Sequence, residues 1–162
     1  MKAAAYHLKP IKDGAGLALI RFLATHQDFS GLLWHFTSAK KFTGIVESQL
    51  IHPSSGEGAH GQTTGAELGA VSLFDFSTLN HESLSLCEHQ CASFLTREVT
   101  ARMIAYRSMA NIVSAAEAAA RTDRGRRIPH AEVFHVGCIS LKQSAGVFMF
   151  DWDASTLTKL RL

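Results

Sequence analysis

Apolar positions fall in short blocks separated by polar, glycine-containing stretches, and the spacing inside each block predicts its element. Residues 17–24 are apolar apart from Arg21, and their leucines and alanines favour a helix. After a polar loop at 26–31, Leu33-Trp34-His35-Phe36-Thr37 reads as a short strand carrying one imidazole. Ser38 follows as an N-cap, because its hydroxyl can accept a free backbone N–H of the first helical turn. Phe42, Ile45 and Val46 give one apolar face of a helix running to about Ser48. Leu50-Ile51 returns to extended chain before the turn at Pro53. The unit is strand, histidine, helix, strand, and it places His35 where rigid backbone can hold a side chain toward a cleft.

The next blocks are read in the same way. Residues 53–69 form the longest polar loop, with Gly56, Gly58, Gly61 and Gly65. No Gly-Lys-Ser/Thr ends it, so it is no phosphate loop; it is a surface excursion or a lid beside His35. Val71-Ser72-Leu73-Phe74-Asp75-Phe76 predicts a central strand with a polar end. Residues 94–120, rich in alanine and holding Met103, Ile104 and Met109, predict one long helix or two joined ones. Arg121, Arg124, Arg126 and Arg127 then form the chain's one basic cluster. It is a solvated helix-end loop, favoured by the helix dipole, or a holder of phosphates. Pro10 limits regular structure near the start, 13–16 is a turn, and a short tail follows Asp151-Trp152-Asp153.

Composition narrows the class. A chain of 162 residues, 46% hydrophobic and 19% charged, is expected to be one folded domain spanning 1–162. A formal net charge of +2 does not by itself imply nucleic acid. No apolar run approaches the roughly 20 residues of a membrane span, so no membrane partner is expected. The first residues lack the apolar core of a signal peptide, and three cysteines are an odd number for a disulfide framework. A reducing cytoplasm is the expected location. His81, Cys87, His89 and Cys91 are zinc-ligand types, but no CxxC pair exists, and Cys87 and His89 cannot share a helix face. No metal site is expected; a metal-dependent hydrolase built on these residues is the reading set aside.

A second candidate stretch is His130-Ala131-Glu132-Val133-Phe134-His135-Val136-Gly137, where a glutamate opens a strand. Cys138-Ile139-Ser140-Leu141 and Gly146-Val147-Phe148-Met149-Phe150-Asp151 follow it as further strands. With the His35 unit, this order resembles the ADP-ribosyltransferase superfamily, nearest to its bacterial DarT-type and AbiGi-type branches. The two matches cover roughly a third of the chain. The resemblance implies an α+β fold with a split, strongly bent β-sheet core and flanking helices. It also implies that His35 and Glu132 face one cleft.

The chemistry implied is NAD-dependent ADP-ribosyl transfer to a macromolecule, with NAD as substrate. Breaking the nicotinamide–ribose bond builds positive charge on the ribose, as in glycoside hydrolysis. A carboxylate beside the ribose stabilises that charge and can deprotonate the acceptor. By resemblance Glu132 is the catalytic carboxylate. His35 holds the adenosine ribose with Phe36 and Thr37 beside it, and Ser72 and Phe74 belong to the middle motif near nicotinamide. Phe76 and Tyr106 are further stacking candidates. The acceptor, nucleic acid or protein, would be met through Arg121, Arg124, Arg126 and Arg127. His130 stands where many protein-modifying members carry Gln or Glu, which weighs against an arginine acceptor. The implied setting is a bacterial toxin or phage-conflict system with a cognate toxin or antitoxin. The alternative is a catalytically inactive binding or antitoxin module on the same fold.

Overall fold

The computed structural model describes residues 4–9, 14–55, 63–92, 95–122, 128 and 130–162. Its elements in chain order are β1 (Ala5–His7), α1 (Ala15–Thr25), β2 (Leu33–Thr37), α2 (Ala39–Ser48), β3 (Leu50–Ile51), α3 (Thr64–Glu67), β4 (Ala70–Asp75) and α4 (His81–Ala92). They continue with β5 (Arg102–Tyr106), β6 (Ile112–Ser114), α5 (Ala115–Arg121), β7 (Glu132–Val136), β8 (Ile139–Ser140), β9 (Ser144–Asp151) and β10 (Thr156–Leu160).

Eight strands form one sheet in the order β1-β10-β9-β5-β2-β4-β7-β6, and every neighbouring pair in it is antiparallel. β3 and β8 make a separate two-stranded ladder. The class is therefore α+β, built on an antiparallel sheet with helices against it. Alternation along the strands sends side chains to two faces. On one face Trp34, Phe36, Phe74, Met103, Ala105 and Phe148 pack with Ala18, Leu19, Ile20 and Leu23 of α1 and with Cys87 of α4. On the other, Leu33, Val71, Leu73, Ile104, Tyr106 and Val147 pack with Phe42 and Ile45 of α2 and with Ile51 and Ile139 of the small ladder.

The elements near His35 follow their local sequence. The Ser38 hydroxyl accepts the backbone N–H of Lys41 at 3.2 Å and caps α2, and Gln49 ends that helix in the left-handed region at φ 59°. Phe42 and Ile45 are buried, whereas Val46, placed by its spacing on the apolar face, is 37% exposed. No helix among the described residues is long and apolar enough to cross a membrane.

Three expectations are corrected. The predicted helix over 94–120 is instead β5, β6 and the short α5. Met103, Ile104, Ala105 and Tyr106 are all 0% exposed in the middle of the sheet. A strand covered on both faces shows no polar alternation, and tertiary burial outweighs the helix preference of Ala, Met and Arg. The chain's last residues, expected as a short tail, contain a strand: β10 pairs over five positions with β9 and, at its other edge, with β1. The loop after Pro53 contains α3, capped by the Thr63 hydroxyl on the N–H of Ala66. Residues 10–13, 56–62 and 123–127 lie outside the described residues, and with them Arg124, Arg126, Arg127 and most of the glycine-rich stretch.

Candidate functional site

Three adjacent strands, β2, β4 and β7, carry the residues singled out in the sequence. β4 pairs with β7 over five positions, including Ser72 opposite Phe134 and Phe74 opposite Glu132. β2 pairs with β5 over five positions, including His35 opposite Ile104. Between β2 and β4 only Leu33–Asp75 and Trp34–Phe74 are paired. The two strands part beyond Trp34 and Phe74, and His35 and Ser72 are the next chemistry-bearing residues on either side of the fork.

The imidazole of His35 spans that fork. Its Nδ1 lies 3.1 Å from the Ser72 carbonyl oxygen, which can only accept, so Nδ1 carries the proton and donates. Nε2 of the neutral ring then keeps its lone pair as an acceptor. Burial holds the His35 pKa below the ordinary histidine value; the Ser72 carbonyl opposes this in part, and the nearby charge of Lys41 adds to the lowering. The ring is thus neutral at pH 7.

Ser72 also reaches the other way. Its hydroxyl donates to Glu132 Oε1 at 2.5 Å, and the backbone N–H of Ile128 donates to Oε2 at 2.6 Å. The Glu132 N–H in turn donates to the Ile128 carbonyl at 3.1 Å, so the carboxylate and backbone of Glu132 are tied to the segment before β7. Glu132 is 9% exposed. A hydroxyl on one oxygen and an N–H on the other hold the plane of the carboxylate.

His35, Ser72 and Glu132 are therefore joined through one residue, Ser72. The expected common cleft is corrected in one respect. Cross-strand register sets His35 on the face of Leu33 and Ile104, and Glu132 on the face of Trp34 and Phe74. No shared face joins the two; they are linked only through Ser72, whose carbonyl faces His35 and whose hydroxyl donates to Glu132.

The remaining candidates are placed as follows. Phe36, Phe74 and Phe76 form an aromatic cluster with centroid separations of 5.3, 6.0 and 6.3 Å, all buried on the Glu132 face. Thr37 is buried. Tyr106 is a fully buried residue of β5 on the opposite face, opposite Leu33, and is not at the fork. Arg121 is exposed and ends α5. A cavity of about 580 Å³ lies at the start of α2, lined by Ser38, Ala39, Lys40, Lys41, Gly44, Glu98 and Ala101. Neither His35 nor Glu132 lines it. Among the described residues no three His, Cys, Asp or Glu side chains gather as metal ligands would.

Sequence reasoning missed the Ile128 N–H, a backbone donor that no residue type announces. It also missed the pairing of His52 with Cys138, whose thiol sulfur lies 3.3 Å from the imidazole Nδ1. The signal for that pair was present: two extended blocks, each bordered by a chemistry-bearing residue. No family profile, curated protein or solved structure matches the chain.

Proposed function

We propose that the chain is an ADP-ribosyltransferase-like domain whose fork between β2 and β4 receives NAD, and that it transfers ADP-ribose to a macromolecule. The observation that carries this reading is the Ser72–Glu132 pair, a strand-borne carboxylate held at 2.5 Å by a hydroxyl from the middle strand. In this reading Glu132 faces the ribose and stabilises the positive charge that builds as nicotinamide departs. Ser72 orients it. Neutral His35, with Nδ1–H engaged on the Ser72 carbonyl, accepts a ribose hydroxyl at Nε2. Phe36, Thr37 and Phe74 back the site from the core and set the strand positions.

The split, bent sheet of the family is supported by the two-position ladder between β2 and β4, set against five on their other sides. Nucleic acid or protein is the acceptor class, with Arg121 and the arginines after it in sequence as the candidate acceptor contacts, in a bacterial cytoplasm and alongside a cognate toxin or antitoxin. The rival, a non-catalytic binding or antitoxin module on the same fold, draws support from the burial of Glu132.

Nicotinamide release from NAD, measured with and without DNA, RNA and protein acceptors, tests the reading. Glu132→Gln keeps the size of the group and removes the charge. It should leave NAD binding intact and lower turnover by about 100- to 1,000-fold, the usual cost of removing one placed electrostatic group. His35→Ala should weaken NAD binding. Equal turnover in wild type and Glu132→Gln refutes the mechanism, and a wild type that binds no NAD selects the module.

A further inference from the structure

The small ladder of β3 and β8 ends in a cysteine–histidine pair that is not part of the fork. Leu50 pairs with Ser140 and Ile51 with Ile139, so His52 and Cys138 are the next positions in the same register. Ile51 and Ile139 are 2% and 1% exposed and anchor the ladder in the core. His52 and Cys138 themselves are exposed, with Sγ 3.3 Å from Nδ1. The approach to Cys138 is also pinned. Gly137 adopts φ 87°, a left-handed conformation suited to glycine, and its N–H donates to the Gly69 carbonyl at 3.0 Å. Cys87, by contrast, is buried in the main core. Six positions separate Cys138 from Glu132, a chain length of at most about 20 Å, and the chain turns at Gly137 between them.

We propose that Cys138 and His52 form a thiol-modification site that takes small-molecule disulfides. The Cys138 sulfur attacks one sulfur of the disulfide as its proton passes to His52 Nδ1. A new sulfur–sulfur bond forms to Cys138, the original one breaks, and the leaving thiolate takes the proton from the imidazolium. Cys138 is oxidised to the mixed disulfide, half of the small disulfide is reduced to a thiol, and His52 returns to its neutral state. Attack through a mixed disulfide with a base beside the thiol is the ordinary course of such exchange. The ladder supplies what a flexible cysteine lacks: the acceptor nitrogen is already at hydrogen-bond distance.

The test uses the full chain with its thiols reduced, mixed with oxidised glutathione near neutral pH and followed by intact mass and peptide mapping. An aromatic disulfide that releases a coloured thiolate gives the rate. An ordinary thiol is only a few per cent ionised at neutral pH, so a partner base speeds it by at most about 30-fold; we expect Cys138 to react about 10-fold faster than free glutathione. Cys138→Ser should remove this phase and the mapped adduct. His52→Gln should slow it about 10-fold near neutral pH, with the two rates converging in alkali, where any thiol is ionised. A purely structural role for His52 would not give that convergence. His52→Asn repeats the measurement should His52→Gln unfold. If neither variant folds, the wild-type rate decides. A Cys138 rate no greater than that of free glutathione, a fast phase that survives Cys138→Ser, or a folded His52 variant with the wild-type rate each overturns the proposal.

Discussion

Replacing Ser72 with alanine isolates the contact on which the candidate site turns. The Ser72 hydroxyl donates to Glu132 Oε1 at 2.5 Å, on a residue only 9% exposed. Ser72→Ala removes that donor and leaves room too small to guarantee a replacement water with several polar partners. A buried acceptor that loses a donor costs about 1–3 kcal/mol. For a domain of this size that is about 2–10 °C in melting temperature. Glu132→Gln should cost less, because an amide can still accept the Ile128 N–H with its oxygen and turn its NH2 toward the Ser72 hydroxyl. The informative quantity is the double-mutant coupling between Ser72→Ala and Glu132→Ala, which leaves no polar group to replace the contact, read from urea denaturation of all four proteins. Contacting residues in one network couple by about 0.5–3 kcal/mol, whereas independent ones add to within about 0.5 kcal/mol. Under the proposed function Ser72→Ala should also lower nicotinamide release while leaving NAD affinity nearly unchanged, since it acts through Glu132. Additive stabilities, with coupling below about 0.5 kcal/mol, would refute the claim that Ser72 positions the carboxylate.

His35 predicts a pH dependence. Its folded pKa lies below the unfolded value, so the unfolded chain binds the extra proton first. The His35 contribution is full above the unfolded pKa of about 6.5 and is lost progressively as pH falls through the folded pKa. His35→Asn, whose side-chain N–H can replace Nδ1 toward the Ser72 carbonyl, should lose less melting temperature than wild type between neutral and mildly acidic pH; an equal loss would contradict the assignment. Tyr106 is fully buried, its hydroxyl has no hydrogen-bond partner among the described residues, and burial raises its pKa. Tyr106→Phe should therefore be neutral or stabilising by about 1 kcal/mol in chemical denaturation, and a loss of more than about 1 kcal/mol would reveal a partner for the hydroxyl.

What the sequence made legible was whatever a local rule governs. Ser38 as a cap, the helix through Ser48, the short strand holding His35 and the extended Leu50–Ile51 all rest on neighbours within a few positions, and all are present. So is the central strand through Ser72. The failures lie where distant residues decide. Nothing local separates Met103-Ile104-Ala105-Tyr106 from a helix; only burial between β2 and β9 makes it a strand. Leu157 is fully buried; its strand follows β9 in a hairpin, but its other edge is held by β1, where Tyr6 pairs with Leu157 from the opposite end of the chain. Long-range pairing of that kind leaves no periodic mark.

The candidate site shows the same division at finer scale. Residue types and their order named His35, Ser72 and Glu132, and the strands bring all three into one hydrogen-bonded chain. Type and order could not say how they meet. Because the side-chain period of a strand is two, register fixes which face each residue takes, and register belongs to the pairing of strands. Phe74 opposite Glu132 and Ile104 opposite His35 put the two on different faces. A common cleft would then be out of reach in an unbroken sheet. The early parting of β2 from β4 changes this, because backbone groups that a continuous ladder would occupy become available at the fork. The Ser72 carbonyl is such a group: it takes the His35 imidazole, while the hydroxyl of the same residue takes Glu132. Under the proposed function, NAD would have to reach His35 and Glu132 along this fork, with Ser72, hydrogen-bonded to both, at its centre.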